Sequence, residues 1–384
     1  VELPAIVAFT ALGWLCAGLA SIGVAYTLAA GLLAARFVSR RARAANTFPP
    51  VSIVKPLHGA HPGLAGALER FCDQDYPGDV QILFGVQDAK DPAIAVVERL
   101  KAQRPDVDIQ LVVDPRLYGT NRKASNLINI AARARHGLLI LSDADILVEP
   151  DYLRRVVAAM SAPGVGAVSC LYVGGAGRGL WARLAAMAID YHFLPGAVVG
   201  KALGLAQPCF GSTIAISTAV LAEIGGFAAF ADHLADDYEI GRAVRARGYR
   251  IAIPPMIVSH YCGEESGAEL LGHELRWGRT VRQIDPAGYA GSLITYPTPL
   301  AILAALFTGL PAWSLALLAV ALAARLLLKV LVDAATGGRA GPWWLIPVRD
   351  VLSFGVFLAS FVVNTIGWQG RRFRVGPDGV LLHS

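Results

Sequence analysis

Two aspartates one residue apart, Asp143 and Asp145, close an apolar run in "LSDADILVEP" (Leu141 to Pro150). At the end of a strand both side chains of such a pair can turn toward one hard cation. Mg2+ or Mn2+ suits that arrangement, because it takes one or two carboxylates and completes its shell with the phosphates of a substrate. The plainer alternative is an Asp-rich turn capping a helix that begins near Pro150. Asp88 in "GVQDAKDPA" follows another apolar run, and Asp236 and Asp237 open "DDYEIGRAVRARGYR". Either of the last two can N-cap a helix, and Asp237 is equally a candidate general base for an alcohol.

Basic and aromatic candidates accompany these acids. "GTNRKASNLIN" (Gly119 to Asn129) places Lys123 near a helix start beside Arg122 and Asn126. It is either a solvated helix face or, with the helix N-terminus, a holder of phosphate or uridine oxygens. "HELRW" (His273 to Trp277) puts His273 one helical turn before Trp277. Arg276 and Trp277 suit an interfacial anchor, or a pair in which Arg276 meets a pyrophosphate leaving group and Trp277 packs on an acceptor. "PCFGSTIAIS" (Pro208 to Ser217) carries a glycine that could simply bend an edge strand.

An α/β frame is what would position these groups. "VSIVK" (51–55), "VQILFGV" (80–86), "DIQLVV" (108–113) and "GLLILS" (137–142) read as buried parallel strands, with helices at about 93–103 and 123–133 between them. Strand and helix in alternation imply a doubly wound domain whose ligands sit beyond the carboxyl ends of the strands. The acidic points fall at those ends.

Around that frame the chain is too apolar for an ordinary soluble protein: 55% of its 384 residues are hydrophobic and 16% charged. No charge interrupts Leu3 to Ala35, which exceeds the ~20 residues a bilayer requires. Arg36, Arg40, Arg41 and Arg43 follow it, so the run reads as a transmembrane helix with its N-terminus outside and the next segment in the cytoplasm, not as a signal peptide. Further apolar runs at about 294–310, 313–332 and 344–368 imply two or three more membrane segments. "GLWARLAAMAIDYHFLPGAVVGKALG" (179–204) reads as an amphipathic segment resting on the membrane. The expected organisation is an anchor at 1–36, a cytoplasmic catalytic domain at 48–290, membrane helices at 291–369 and a basic tail at 370–384. A net charge of +5, with arginines near the apolar runs and no aromatic-interleaved basic patch, favours anionic lipid or an anionic substrate over nucleic acid. Five scattered cysteines lack a CxxC pair, which argues against a zinc site or a disulfide framework and for a reduced compartment. No obligatory protein partner is evident. Heavy Ala, Gly and Arg usage suggests a bacterial gene, hence the inner membrane.

The ordered set Asp88, Asp143 with Asp145, Asp237, and Arg276 with Trp277 resembles the D, DxD, D, (Q/R)xxRW signature of GT-A glycosyltransferases that act on lipids or elongate polysaccharides. "KPLHG", "FCDQDYP", "VQDAKDPA", "NRKASNL", "SDADILV", "GGFAAFADHLADDY" and "HELRW" narrow the resemblance to ceramide glucosyltransferases, glycosyltransferase family 21. "HELRW" with "GRTVRQIDPAGYAGS" is similar to the bacterial members of hopanoid biosynthesis. The resemblance spans essentially the whole chain. It implies that Asp88 contacts the uracil or ribose of a UDP-sugar and that Asp143 and Asp145 manage Mg2+ or Mn2+ and the diphosphate. It further implies that Asp237 is the base of a single inverting displacement, with Lys123 and Arg276 on the diphosphate. Trp277, His273 and Asp236 would then lie on the acceptor side. The chain departs from the pattern at His273, where the family carries Gln or Arg, and animal ceramide enzymes lack a counterpart of Asp145. The acceptor is ceramide or a hopanoid polyol, the donor UDP-glucose or UDP-N-acetylglucosamine. A processive polysaccharide synthase is the rival enzyme, and a membrane scaffold with a nucleotide-binding-like domain the rival outside catalysis.

Overall fold

A computed structural model describes residues 2–41, 44–206, 209–338, 340–362, 366–368, 371–375 and 381–383. In chain order, helix α1 (Glu2–Val38) precedes β1 (Val51–Pro56), α2 (Leu64–Cys72), β2 (Val80–Val86), α3 (Ala93–Gln103), β3 (Asp108–Val113), α4 (Arg122–Ala131), β4 (Leu138–Leu141), β5 (Ile146–Leu147), α5 (Tyr152–Met160), β6 (Val165–Ser169) and β7 (Leu171–Ala176). Then come α6 (Leu180–Ala188), a π-helical turn (Ile189–Phe193) and α7 (Leu194–Ala202), followed by β8 (Ile214–Ser217), α8 (Thr218–Glu223), α9 (Asp236–Ala246), β9 (Arg250–Ala252) and β10 (Ile257–Cys262). The last helices are α10 (Gly267–Ile284), α11 (Pro286–Gly291), α12 (Pro297–Phe307), α13 (Ala312–Thr336) and α14 (Ile346–Val362). The chain divides into two compact units, one of sheets (residues 40–177, 204–263 and 372–384) and one of helices (1–39, 178–203 and 264–371).

In the sheet unit seven strands lie in the order β3-β2-β1-β4-β8-β6-β9. β1 pairs in parallel with β2 and β4, β2 with β3, and β6 with β9, while β8 runs antiparallel between β4 and β6. β1 and β4 are buried along their whole length, which is why they read as unbroken apolar runs. Apolar clusters cover both faces of this sheet. One joins Phe71, Val97 and Tyr152 to Ile53 and Ile82, the other joins Leu127, Phe227 and Ile240 to Val54 and Leu83. A small second sheet, β5-β10-β7, carries Asp145 just ahead of β5 and His260 on β10.

Two expectations change here. "DIQLVV" is the edge strand β3, only partly buried, because Asp108 and Gln110 alternate with its apolar residues and face away from the core. The strand within "PCFGSTIAIS" is internal, β8, not an edge; its run Ile214, Ala215, Ile216 is fully buried, as a strand with a neighbour on each side demands. Pro208, at the start of that stretch, lies outside the described residues.

The helical unit contains three helices long and apolar enough to cross a membrane, at Val7–Val38, Ala312–Thr336 and Trp343–Val362. A fourth pair, Pro286–Thr295 with Pro297–Phe307, is bent by 69° at its break, as a broken span or re-entrant segment would be. α1 approaches its neighbours closely through glycine. A Cβ at Gly13 would stand 2.5 Å from Thr308 Cγ2, and one at Gly23 would stand 2.5 Å from the Ile294 carbonyl oxygen. The last apolar run is a shorter helix than its composition suggested. α14 is described to Val362, and Ile366–Trp368 is extended. Gly370 and Arg43, parts of the expected basic segments, lie outside the described residues. The unit boundaries also fall elsewhere than expected: residues 178–203 and 264–290 group with the apolar helices. The 179–204 segment is two helices joined by the π-turn, whose Ile189, Asp190 and Tyr191 are buried within this unit.

Candidate active site

The site begins where β1 and β4 end side by side. Val54 is in register with Leu141, so Lys55 and Pro56 emerge next to Ser142 and Asp143. Lys55 is fully buried; its ammonium donates to the Asp143 carbonyl at 2.7 Å and to Ser142 Oγ at 3.3 Å, and lies 3.7 Å from the centroid of Phe71. Burial lowers its pKa to about 7, against the pull of Asp145 and Asp143.

Asp143 is then fixed by two further elements. Its backbone N–H donates to the Gly211 carbonyl at 3.1 Å, and its Oδ1 takes the Lys123 ammonium at 2.7 Å. Lys123 stands in the first turn of α4 because Asn121 caps that helix, accepting from the Ala124 N–H and donating to the His233 carbonyl. The same ammonium lies 3.6 Å from Asp236 Oδ2. Asp237 accepts at Oδ2 from the Gly211 N–H at 2.9 Å and at Oδ1 from the Tyr238 N–H at 2.8 Å. Gly211 therefore links the Asp143 backbone to the Asp237 carboxylate. A Cβ there would sit 2.5 Å from Asp143 Oδ2 and 2.9 Å from Lys123 Nζ, so any side chain would displace one or both of them.

The electrostatics are those of a carboxylate cluster around one cation. Burial would depress Lys123, but Asp143, Asp236 and Asp237 outweigh it and raise its pKa. Burial raises Asp236 to about 6, opposed by Lys123 and reinforced by Asp237 and Asp143. Asp237 is raised too, by burial first, against Lys123 and its two backbone donors. Asp145, two residues on, has a different partner: its Oδ2 lies 3.2 Å from His260 Nε2. Burial pushes against ionisation, yet His260, His61 and Lys55 hold Asp145 well below the usual carboxylate range and Asp145 holds His260 well above the usual imidazole value.

The residues expected to do chemistry thus fall into two constellations. Lys123, Asp143, Asp236 and Asp237 come together, with Asp145 adjoining. Asp88 lies at the same sheet edge, past β2, exposed and accepting from the Lys90 N–H. Its buried neighbour Asp91 is structural, bonded to the Gly59 and Ala93 N–H groups. His273, Arg276 and Trp277 form the second constellation, on α10 of the helical unit. There His273 Nδ1 is 2.9 Å from Glu264 Oε1 and its ring centroid 4.3 Å from that of Trp277.

No group of three His, Cys, Asp or Glu side chains with metal-holding geometry occurs among the described residues. The donors nevertheless suit a hard divalent ion. Asp145 Oδ1 and Asp236 Oδ2 are buried with no hydrogen-bond partner among the described residues, and an ion using Asp143 and Asp145 would draw its remaining ligands from phosphate and water.

The profile of glycosyl transferase family 21 matches residues 15–381. The chain belongs to that family. Ceramide glucosyltransferase 1 of Caenorhabditis elegans is 28% identical over 208 residues, which is 54% of this chain and 44% of the relative. The beta-monoglucosyldiacylglycerol synthase of Synechocystis is 28% identical over 162 residues, 41% of this chain and 33% of the relative. The match thus spans half or less of these curated relatives. Among solved structures, a mannosyltransferase from Pyrobaculum calidifontis in complex with GDP-mannose and Mn2+ superposes with a TM-score of 0.51 at 22% identity, covering 89% of this chain and 99% of that one. It shows the GT-A fold that the motifs implied. The family 21 pattern overlays residues that sequence reasoning had not picked. Lys55 opens "KPLHG" yet was read only as the end of the strand "VSIVK", and His260 gave no signal because its partner Asp145 is remote in sequence.

Proposed function

We propose that this family 21 glycosyltransferase is a membrane enzyme that moves glucose from UDP-glucose to the primary hydroxyl of ceramide with inversion, giving a β-glucolipid. The observation that carries the reading is the Asp143–Lys123–Asp236/Asp237 cluster: a cation among carboxylates, at the carboxyl edge of a parallel sheet, with the buried Asp145 Oδ1 and Asp236 Oδ2 lacking a hydrogen-bond partner among the described residues. Asp237 accepts the proton of the lipid hydroxyl. Its oxygens are aimed by the Gly211 and Tyr238 N–H groups, and burial raises its basicity. Lys123 steadies the departing diphosphate, and Asp88 holds the uridine portion. A Mg2+ or Mn2+ ion held by Asp143 and Asp145 would neutralise diphosphate charge. The family pattern assigns Arg276 to the diphosphate, and Trp277, His273 and Asp236 to the acceptor side. The arginines after α1 support a cytoplasmic sheet unit by the positive-inside rule, and the reading is of a bacterial inner-membrane enzyme.

A second acceptor, a hopanoid polyol with UDP-N-acetylglucosamine as donor, is favoured by "HELRW" continuing into "GRTVRQIDPAGYAGS". Mass spectrometry of lipids from a host expressing the chain separates the two: a gain of hexose on ceramide supports the first, a gain of N-acetylhexosamine on a hopanoid the second. In the purified protein, UDP release that depends on added lipid supports transfer, and release without lipid would point to a polysaccharide synthase. Turnover of Asp237→Asn near the wild-type rate would remove Asp237 as the base.

A further inference from the structure

Beyond the HELRW motif, α10 continues as "GRTVRQI", with Arg279 and Arg282 one turn apart. Arg279 is 5% exposed, yet its Nε and Nη1 have no hydrogen-bond partner among the described residues. Arg282 Nε is likewise buried without a partner, and its guanidinium carbon lies 5.5 Å from the ring centroid of Phe361. No carboxylate of α10 or of the helices packed on it serves them. Glu269 accepts from the Glu265 N–H beside the Ser266 cap, Glu274 pairs with Arg349, Asp285 accepts from the Gly288 N–H, and Asp350 is held by Arg325 and Thr298. α6 and α11 carry no acidic residue. Burial, then the neighbouring Arg282 charge, lowers the pKa of Arg279. Two adjacent guanidinium groups, one desolvated and both short of acceptors, are an arrangement that lacks its anion.

We infer that Arg279 and Arg282 form a binding site for a phosphate-class oxyanion. A tetrahedral phosphate offers several acceptor oxygens to two planar forks at once, which no single carboxylate does equally well. The surroundings suit a phosphate at the edge of an apolar phase. The Tyr289 ring centroid lies 5.2 Å from that of Phe357 and 5.7 Å from that of Phe361, both pairs tilted, and Tyr289 belongs to the bent pair Pro286–Thr295 and Pro297–Phe307 that follows α10. Such a phosphate comes from one of two sources, a nucleoside diphosphate or the headgroup of an anionic phospholipid. The inference goes beyond the proposed sugar transfer, because it concerns residues that reading leaves without a role and is tested by binding alone.

The test uses the full chain, wild type and Arg279→Gln, Arg279→Lys and Arg282→Gln, purified in detergent and in nanodiscs. One arm titrates UDP by calorimetry. The other measures retention of phosphatidylglycerol over phosphatidylcholine by native mass spectrometry. Loss of a bidentate contact should weaken one arm by about tenfold in Arg279→Gln. A loss confined to UDP identifies the nucleotide as the source, and a loss confined to phosphatidylglycerol identifies the lipid. Arg279→Lys should recover part of the loss, since it keeps the charge without the fork. Unchanged UDP affinity together with unchanged lipid retention in Arg279→Gln would overturn the inference. If that variant does not fold, wild-type binding in both arms by Arg279→Lys and Arg282→Gln would overturn it equally. Neither readout needs sugar transfer, so failure of the proposed glucosyl reaction leaves this result interpretable.

Discussion

Two buried charge clusters, Arg325–Asp350 with Lys329–Asp333 among the helices and Lys123 with its carboxylates beside the sheet, are treated in opposite ways. In the helical unit Arg325 donates through Nε and Nη2 to Asp350, through Nη1 to the Tyr191 carbonyl, and Thr298 fills the remaining carboxylate position. Lys329, Asp333 and the Tyr191 hydroxyl close a second loop one turn along α13. These networks are saturated, as groups among apolar helices must be when no water is at hand to complete them. In the sheet unit the carboxylates crowd each other, Asp145 Oδ1 and Asp236 Oδ2 have no hydrogen-bond partner among the described residues, and Asp236 is raised to about 6. A saturated network holds a fold, whereas an unsaturated one keeps capacity for a ligand. That contrast separates structure from chemistry here more sharply than burial does.

The largest effect expected from this contrast is on activity. Asp237→Asn should lower kcat by about 10²–10⁴ while leaving the thermal midpoint near wild type, because it removes a base and not a saturated partner. Measured kcat and midpoint together decide it: a large drop in midpoint would place Asp237 with the structural charges. The mirror experiment is Asp350→Asn, which strands Arg325 inside the helices. It should cost about 3–5 kcal/mol of stability, seen as early unfolding in detergent, and the paired change Arg325→Met with Asp350→Leu should recover most of that. Next in size is Gly211→Ala, whose new methyl meets Asp143 Oδ2 and Lys123 Nζ. A displacement of about 1 Å at the reacting groups corresponds to about 10²-fold in kcat/KM, with little change in the unfolding curve. Wild-type turnover in this variant would show that the close approach is incidental.

Much of this was legible before any coordinates, and the reason is local. β1, β2 and β4 announce themselves as apolar runs because both of their faces are covered, and the aspartates that end them need no long-range information. β3 was misjudged because its apolar content exceeds its burial; strand order, which sets an edge, is a tertiary property. The same limit hid Lys55. A lysine at the end of "VSIVK" looks like a solvated strand end, and only the parallel neighbour β4 turns it inward under Asp143. The spacing of Asp143 and Asp145 suggested one shared cation, whereas their partners differ, Lys123 for one and His260 for the other. Sequence could not reveal that, since both partners arrive from other elements.

The smallest effect, and the most discriminating, is on pH. Asp236 is raised from the ordinary carboxylate value of 3.8 to about 6, so between these values the folded chain holds a proton that the unfolded chain has released. Its contribution to stability is therefore complete below pH 4 and lost as pH rises through 6. The raised imidazole of His260 acts in the same direction at pH above its ordinary 6.5, so the two groups together cover the descent from mildly alkaline pH to about 4. Acidification over that window should then raise the unfolding midpoint measured in EDTA, and turnover should fall as the Asp236/Asp237 pair takes up its proton. Asp236→Asn should flatten the rise in midpoint, and Asp350→Asn should lower the whole curve without altering its slope. A slope that survives Asp236→Asn and vanishes in Asp350→Asn would reverse the assignment of the two units.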